Sequence, residues 1–520
     1  MPNRREFILT STTFGVSALA TPAISASHSS SRFDVDALRD DLEKVLGAFS
    51  APGMAVVACS GEDIVFREGF GFRDVTRNEP FTPETVMLVA STTKSYTAGL
   101  VGGLVDDGIV SWDTPVREYF PDFQMMDPSA TRDMTLTDMM CHRSGLPYHE
   151  NLLAHGVARE LPDDGRDFRR HLLDRLQHFA PSHSFRNHFQ YQDIIYTSAG
   201  AILEAATGEF FEDLMQERLL DRLGVKATFV RAEATATGRL AKGYGLVDGQ
   251  IKEIEFCDTR YFAPTAGLYM TADEMIKWIK CHLANGRAGD DQVISEESIS
   301  WIRRSHMPAE VFRPLVGGAL YNYGLGLAQS MFMGHLTFDH GGSFNGARTS
   351  IAFVPDTGLG VAVLMNMNLT NGVIATHQVV LAHLLGEPDT DRIIAHFLAL
   401  DQARTEGEAA AEAAFEAGRN SANQPRLPFD AYEGTYHHPG YGTFVVKRQG
   451  DALLQTFDGR SFPLEPYDGE TFETKYQSTE NHLHHMTMTF ESGTDDRVDG
   501  VRVPIVPGIA PPKFAKQRDS

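Results

Sequence analysis

The sequence predicts a mixed α/β (α+β) fold: one sheet assembled from distant segments, a helical lobe inserted within it, and a small all-β domain after it. Three patterns predict this. "GMAVVACSGEDIVFREGFGFRD" (residues 53–74) and "TSIAFVPDTGLGVAVLMN" (residues 349–366) each read as two apolar strands joined by a turn. Between them lies a long stretch of helical periodicity broken by loops, which puts strands at both ends of one sheet and helices in the middle. From Ala431 onward, runs such as "TFVVKR", "ALLQTF" and "HHMTMTF" alternate with turns such as "RQGD" and "EPYDGE", as in a barrel or sandwich.

Taken in order, the chain opens on "NRREFILTSTTFGVSALATPAISA", where Arg4 and Arg5 precede a weakly apolar stretch and small residues suited to cleavage near Ala23 or Ala26. This resembles a twin-arginine export signal. Residues 1–30 are therefore expected to engage the twin-arginine export machinery and take no part in the fold, and the mature protein is expected to be periplasmic or secreted. The apolar stretch is shorter than the roughly 20 residues a membrane helix needs, and no later stretch approaches that length, so no stable membrane span is expected. "VDALRDDLEKVLGAF" (residues 35–49) has helical spacing, and the hairpin after it turns at Ser60-Gly61-Glu62-Asp63. "AGLVGGLV", "DIIYTSAGAILEAAT" and "TADEMIKWIKCHLANG" read as helices, separated by loops such as "CHRSGLPYHE" and "LPDDGRD". "ARTEGEAAAEAAFEAG" is an Ala/Glu-rich helix and "RNSANQPRLPFD" a linker. The expected division is residues 31–400, then helix and linker over 401–428, then the all-β domain over 429–520.

A formal charge of −23 over 520 residues repels polyanions, so nucleic acid is excluded as a partner. Cys59, Cys141, Cys257 and Cys281 have no C-x-x-C spacing, which points to buried thiols with room for one disulfide rather than to a zinc or redox site. No cofactor is expected.

The chemistry starts at "VASTTKSYTAGLVGGLV" (residues 89–105), which holds the sole S-x-x-K of the sequence. Residues i and i+3 share a helix face, so Ser91 and Lys94 meet if a helix begins near Ser91. Lys94 would then be a local proton acceptor and positive charge for a hydroxyl too weakly acidic to attack by itself. The small apolar residues that follow suit a buried helix better than a surface one.

With "GFGFRD", "LVDDGIVSWDTPVREYFP", "CHRSGLP", "FQYQDIIYTSAG", "AGLYMTADEMIKW", "YGLGL" and "FDHGGSFNGARTSIAFVPDTGLGVAVLMN" following one another along the chain, residues 35–385 resemble the class C β-lactamase and penicillin-binding-protein-like serine hydrolases, which include D-aminopeptidases and esterases. The resemblance implies a serine β-lactamase/transpeptidase-like fold, an antiparallel sheet flanked by helices plus a helical lobe. "YEGTYHHPGYGTFVVKRQGDALLQTF" is similar to the barrel-like domain that accompanies some members. By this resemblance Ser91 is the nucleophile, with Lys94 and Tyr191 as its proton-transfer partners, and the backbone N–H groups of Ser91 and Ser343 form the oxyanion hole. The Y-x-N element falls on Tyr191-Gln192-Asp193, because Gly200 follows the tyrosine by nine residues; Tyr196 is out of register. Asp193 stands where asparagine is usual, and a carboxylate there can pair with Lys94 and change its basicity. The K-T-G element becomes His340-Gly341-Gly342, whose glycines let a substrate approach closely and whose histidine either contacts substrate or stabilises Tyr191. Asp193, His340, Gly341 and Gly342 are the expected substrate-binding residues.

Rival readings are weaker. An α/β-hydrolase needs G-x-S-x-G, and "GGSFNG" misses it by one residue. A metal site on "NHLHHMTM", from His482 and His484 on one strand face with His437 and His438 elsewhere in the same domain, has no obvious acidic third ligand. The expected function is an exported serine hydrolase cleaving an ester, amide or short peptide substrate. The alternatives are a β-lactamase or D,D-peptidase, and a catalytically silent peptide- or peptidoglycan-binding protein. Loss of the K-T-G lysine disfavours β-lactam turnover.

Overall fold

The structure is a computed structural model that describes residues 33–149, 165–247, 249–254, 259–309, 316, 318–420, 422–457, 460–477, 483–493 and 497–517. The expected leader, Cys257 and His482 lie outside these residues. Both expected hairpins form, and they become neighbours. The strand Gly53–Ser60 pairs antiparallel with Leu359–Met365, from Met54↔Met365 to Ser60↔Leu359, so segments about 300 residues apart close the centre of one sheet. Nine antiparallel strands make it up, in the order Met307–Pro308, Ala319–Tyr323, Ala328–Phe332, His335–Phe344, Ala347–Val354, Leu359–Met365, Gly53–Ser60, Asp63–Asp74 and Glu79–Pro80.

Central strands are apolar on both faces because both faces are covered. Met54, Val56 and Ala58 point to one side, where they join Leu38, Leu42 and Val45 of the helix Val35–Ala48 and Val379 and Val380 of the helix Gly372–Leu384. Ala55, Val57 and Cys59 alternate to the other side and pack with the lobe that carries Ser91. There the helix Thr93–Asp106 is buried along almost its whole length, as its small apolar residues require. Gly99 makes this packing feasible: a Cβ on it would lie 2.4 Å from the Trp278 ring. The Trp278 indole N–H donates to Ser95 Oγ at 3.1 Å, which locks the two helices together.

A helix of 28 residues, Thr390–Ala417, leads from the sheet to a closed antiparallel barrel of eight strands between Gly434 and Lys516. Closure leaves the barrel no free edge strand. Of the cysteines, Cys59, Cys141 and Cys281 are buried free thiols. Burial pushes each thiol up to about 12, which keeps them protonated and inert. No helix among the described residues is long and apolar enough to cross a membrane.

Candidate active site

Ser91 sits in a single 3-10 turn, Ala90–Thr92, immediately before the helix that carries Lys94. The turn is tightly held. Val89 N–H donates to the Leu268 carbonyl at 2.9 Å, the Thr349 hydroxyl donates to the Val89 carbonyl at 2.8 Å, and Thr92 and Thr349 hydroxyls lie 2.8 Å apart. These bonds fix Ala90 at φ +47°, in the left-handed region a non-glycine residue avoids.

Lys94 is completely buried, and its ammonium donates to Ser91 Oγ at 3.0 Å. The same nitrogen lies 2.7 Å from Asp193 Oδ1, 3.4 Å from the Thr265 carbonyl and 4.8 Å from the centre of the Tyr191 ring. Tyr191, just before the helix Asp193–Thr207, hydrogen-bonds both Lys94 and Ser91. Three segments of the chain, around residues 91, 191 and 265, thus converge on one ammonium group. Tyr196, the out-of-register tyrosine, is fully buried and donates its hydroxyl to the Lys94 backbone carbonyl at 2.6 Å, which commits it to holding the helix.

The electrostatics follow from this geometry. Burial pulls the Lys94 ammonium down, but the charges and hydrogen bonds of Asp193 and Tyr191 outweigh it and leave Lys94 above its ordinary value. Burial raises the Tyr191 phenol, and the Lys94 charge offsets that rise only in part. The resting site is therefore an ammonium–carboxylate pair beside a neutral phenol.

The strand His335–Phe344 runs against the Ser91 turn. A Cβ on Gly342 would lie 2.1 Å from the Val89 carbonyl oxygen and 2.4 Å from Thr349 Oγ1, so the close approach expected at this glycine is made by the protein's own turn. Gly341 pairs with Ser350 and Ser343 with Arg348 across the hairpin. Ser343 therefore lies at the end of a strand that leads into a hairpin, not on the strand-to-helix elbow of an α/β-hydrolase. His340 is buried, with Nε2 at 2.9 Å from the Tyr323 hydroxyl and Nδ1 at 2.8 Å from the Gly341 carbonyl. Its ring centre is 6.4 Å from that of Tyr191.

Comparison with known proteins now has a geometry to refer to. Residues 39–384, more than half of the chain, match the β-lactamase family. The chain belongs to the β-lactamase family. Residues 419–518 match a domain of unknown function (DUF3471), the part that folds as the barrel. Among relatives, an unguisins hydrolase of Aspergillus campestris is 28% identical over 423 residues, covering 78% of this chain and 76% of that one. A D-aminopeptidase of Gluconobacter oxydans is 27% identical over 344 residues, covering 65% and 60%. The octameric penicillin-binding protein homologue from Pyrococcus abyssi superposes with a TM-score of 0.59 at 21% identity, covering 93% of this chain and 100% of that one, a likeness of fold. The protein is thus a β-lactamase-like serine hydrolase with a C-terminal eight-stranded barrel.

Within this family frame, the loop "CHRSGLPYHE" contributes more than sequence reading gave it. His142 packs its ring 4.4 Å from that of Tyr191 and accepts the Gln192 N–H on Nδ1 at 3.1 Å; burial, aided by the Lys94 charge, pushes its pKa well down, so it stays neutral. Tyr148 donates to Asp193 Oδ2 at 3.3 Å. Nothing in the residue types marks either one, because their partners lie about 50 positions away. Of the histidines weighed as metal ligands, His437 Nδ1 meets the Thr443 hydroxyl at 2.9 Å, and His438 Nδ1 accepts the Gly440 N–H at 3.0 Å. Among the described residues one cluster, Glu412, Glu416 and His485, has metal-compatible spacing. It joins the long helix to the barrel through ion pairs: Glu416 meets Arg419 and Lys475, Glu412 meets His485, and the adjacent Glu473 is bound to His485 and Arg419.

Proposed function

We propose that the protein is an exported hydrolase that cleaves an ester, amide or short peptide, including peptides with D-residues, through an acyl-enzyme on Ser91. The observation that carries this reading is the position of Lys94 Nζ, 3.0 Å from Ser91 Oγ, with Tyr191 bonded to both. The reactive form has lost one proton from the Lys94–Tyr191 pair. It takes the Ser91 proton as Oγ bonds to the substrate carbonyl carbon. Backbone N–H groups of Ser91 and Ser343 receive the oxyanion, and the contact of the Gly342 strand with the Ser91 turn supports this pairing. Tyr191 then passes the proton to the departing alcohol or amine as the carbon–heteroatom bond breaks. Water repeats the sequence to release the acid and restore Ser91.

Asp193 stabilises the protonated Lys94, so the reactive form is favoured at alkaline pH. His340 occupies the place of the K-T-G lysine and is buried against Tyr323, so it offers no exposed cation to a β-lactam carboxylate. That supports esters, amides and peptides over β-lactams. The name of one relative, a D-aminopeptidase, supports the peptide side of the reading, and that of another, an unguisins hydrolase, supports hydrolysis. The paired arginines of "NRREF" support export.

The test is a panel of p-nitrophenyl esters, D- and L-aminoacyl anilides and a chromogenic cephalosporin, run beside Ser91→Ala. A serine-reactive phosphonate should add one adduct by intact mass to the natural chain and none to the variant. Absence of a Ser91-dependent adduct would leave a binding protein, and efficient Ser91-dependent cephalosporin turnover would overturn the substrate class.

A further inference from the structure

Tyr191 and Asp193 flank Gln192, and Gln192 is tied to the C-terminal barrel. Gln192 is fully buried, and its side-chain oxygen caps the helix Asp193–Thr207 by accepting the Ile194 N–H at 3.1 Å. Its side-chain amide donates to the Pro147 carbonyl. His149 Nδ1 lies 2.5 Å from that carbonyl and 3.0 Å from the Gln192 side-chain amide, so its ring is held against both. The Tyr441 hydroxyl of the barrel hydrogen-bonds the other ring nitrogen, His149 Nε2, at 3.2 Å. Burial lowers the His149 pKa to about 4, so the contact is a neutral hydrogen bond at ordinary pH.

The barrel is packed for this reach. Tyr441 lies in the turn that joins the strands Gly434–His438 and Gly442–Gln449, yet it is only 2% exposed. Its ring stacks on His149 with centres 6.0 Å apart and lies 5.1 Å from Phe179. Next to it, a Cβ on Gly440 would lie 2.8 Å from His178 Cβ, so only glycine allows the turn so close to the lobe.

We infer that Tyr441 is a positioning residue for the Tyr191–Asp193 segment: acting through His149, it holds the Pro147–His149 loop against Gln192 and so sets both flanking side chains around Lys94. The inference rests on the Ser91 acyl-enzyme reading for its catalytic consequence. Residues 189–192 belong to no helix or strand, so their register rests on a few bonds: Gln190 N–H to the His142 carbonyl at 2.8 Å, Gln192 N–H to His142 Nδ1 at 3.1 Å, and the Gln192 side chain to the Pro147 carbonyl. A displacement of about 1 Å at a proton-transfer group is enough to lower turnover by about 10²-fold. The barrel thereby becomes part of the catalytic unit without supplying a reacting group.

The test compares Tyr441→Phe with Tyr436→Phe in the full-length protein. Tyr436 is an equally buried barrel tyrosine whose hydroxyl donates to the Tyr432 carbonyl at 2.7 Å, so its loss destabilises the barrel without touching His149. Two quantities are read: amide hydrogen exchange over residues 190–196, and kcat and KM on a cleaved p-nitrophenyl ester per phosphonate-titrated Ser91. Tyr441→Phe should speed exchange in that segment about fivefold and lower kcat about tenfold at near-constant KM. Tyr436→Phe should change neither. Unchanged exchange over 190–196 in Tyr441→Phe, or an equal fall of kcat in both variants, overturns the inference. The exchange readout needs no substrate, so failure of the natural protein to turn over ester would count against the hydrolase reading and leave the coupling to be decided separately.

Discussion

Two completely buried cations stand in the same lobe, Lys94 and Arg169, and they are buried in opposite ways. Arg169, on the helix Gly165–Arg175, bonds through all three side-chain nitrogens to two carboxylates: Nε to Glu204 at 3.2 Å, and Nη1 and Nη2 to Glu212 at 2.9 and 3.0 Å. Glu204 in turn accepts the Phe211 N–H at 3.0 Å. Every partner of Arg169 is a fixed acceptor, and a guanidinium does not give up its proton. Lys94 faces instead a hydroxyl, a phenol and one carboxylate. A hydroxyl and a phenol can pass protons to and from an amine, and a carboxylate favours its protonated form. The difference teaches that a buried charge serves structure when its partners are saturated and chemistry when they are titratable.

Perturbing each cation should separate the two roles. Lys94→Met is expected to lower kcat/KM on a cleaved ester by about 10⁴-fold. The Asp193 side chain it leaves behind is 18% exposed and can rehydrate, so unfolding free energy should fall by at most about 2 kcal/mol. Arg169→Met is expected to do the reverse. Glu204 would be stranded in the core, with about 3–5 kcal/mol of stability lost in denaturant titration, while kcat per titrated Ser91 stays within about twofold. Equal damage from both variants in either assay would erase the distinction.

The two tyrosines beside Lys94 sharpen it further. Tyr191→Phe should lower kcat by about 10²-fold or more, as expected of a proton-transfer group. Tyr196→Phe removes only its bond to the Lys94 carbonyl, so stability should fall by about 1 kcal/mol and the pH profile should hold. Asp193→Asn carries the smallest expected effect. The kcat/KM profile of the natural protein should climb into the alkaline range, because Lys94 and Tyr191 both lie above their ordinary values. Removing the Asp193 charge lowers both, so the rising limb should move to lower pH by about one unit. A limb that stays in place would show that Asp193 does not set the protonation of the pair.

How much of this was legible depends on the distance over which each cause acts. The hairpins at 53–74 and 349–366, the helix carrying Lys94 and the barrel strands follow from periodicities of 2 and 3.6 residues, which any short window of sequence displays. Barrel strands also pair with their sequence neighbours, from Tyr436↔Phe444 through Gly500↔Ala515, so local pattern carries most of that architecture. Ser91 and Lys94 are three residues apart on one turn, and Tyr191 was found because a fixed spacing to Gly200 marks its register. Strand alternation, by contrast, puts the barrel histidines on a face and says nothing of their partners, such as Thr443 for His437.

The sequence by itself therefore determined the elements, the family and the Ser91–Lys94 pair, all of which depend on residues close along the chain or on ordered motifs. Tertiary structure alone decided that Asp193 pairs with Lys94 at 2.7 Å, that His340 turns to Tyr323, that Gly342 makes room for the Val89 carbonyl, and that Tyr441 reaches His149. The first of these contacts joins residues 99 positions apart and the last joins residues 292 apart. Across such separations no local preference acts. Burial of the whole core brings the groups together, and their hydrogen-bonding and charge requirements then select which of them meet.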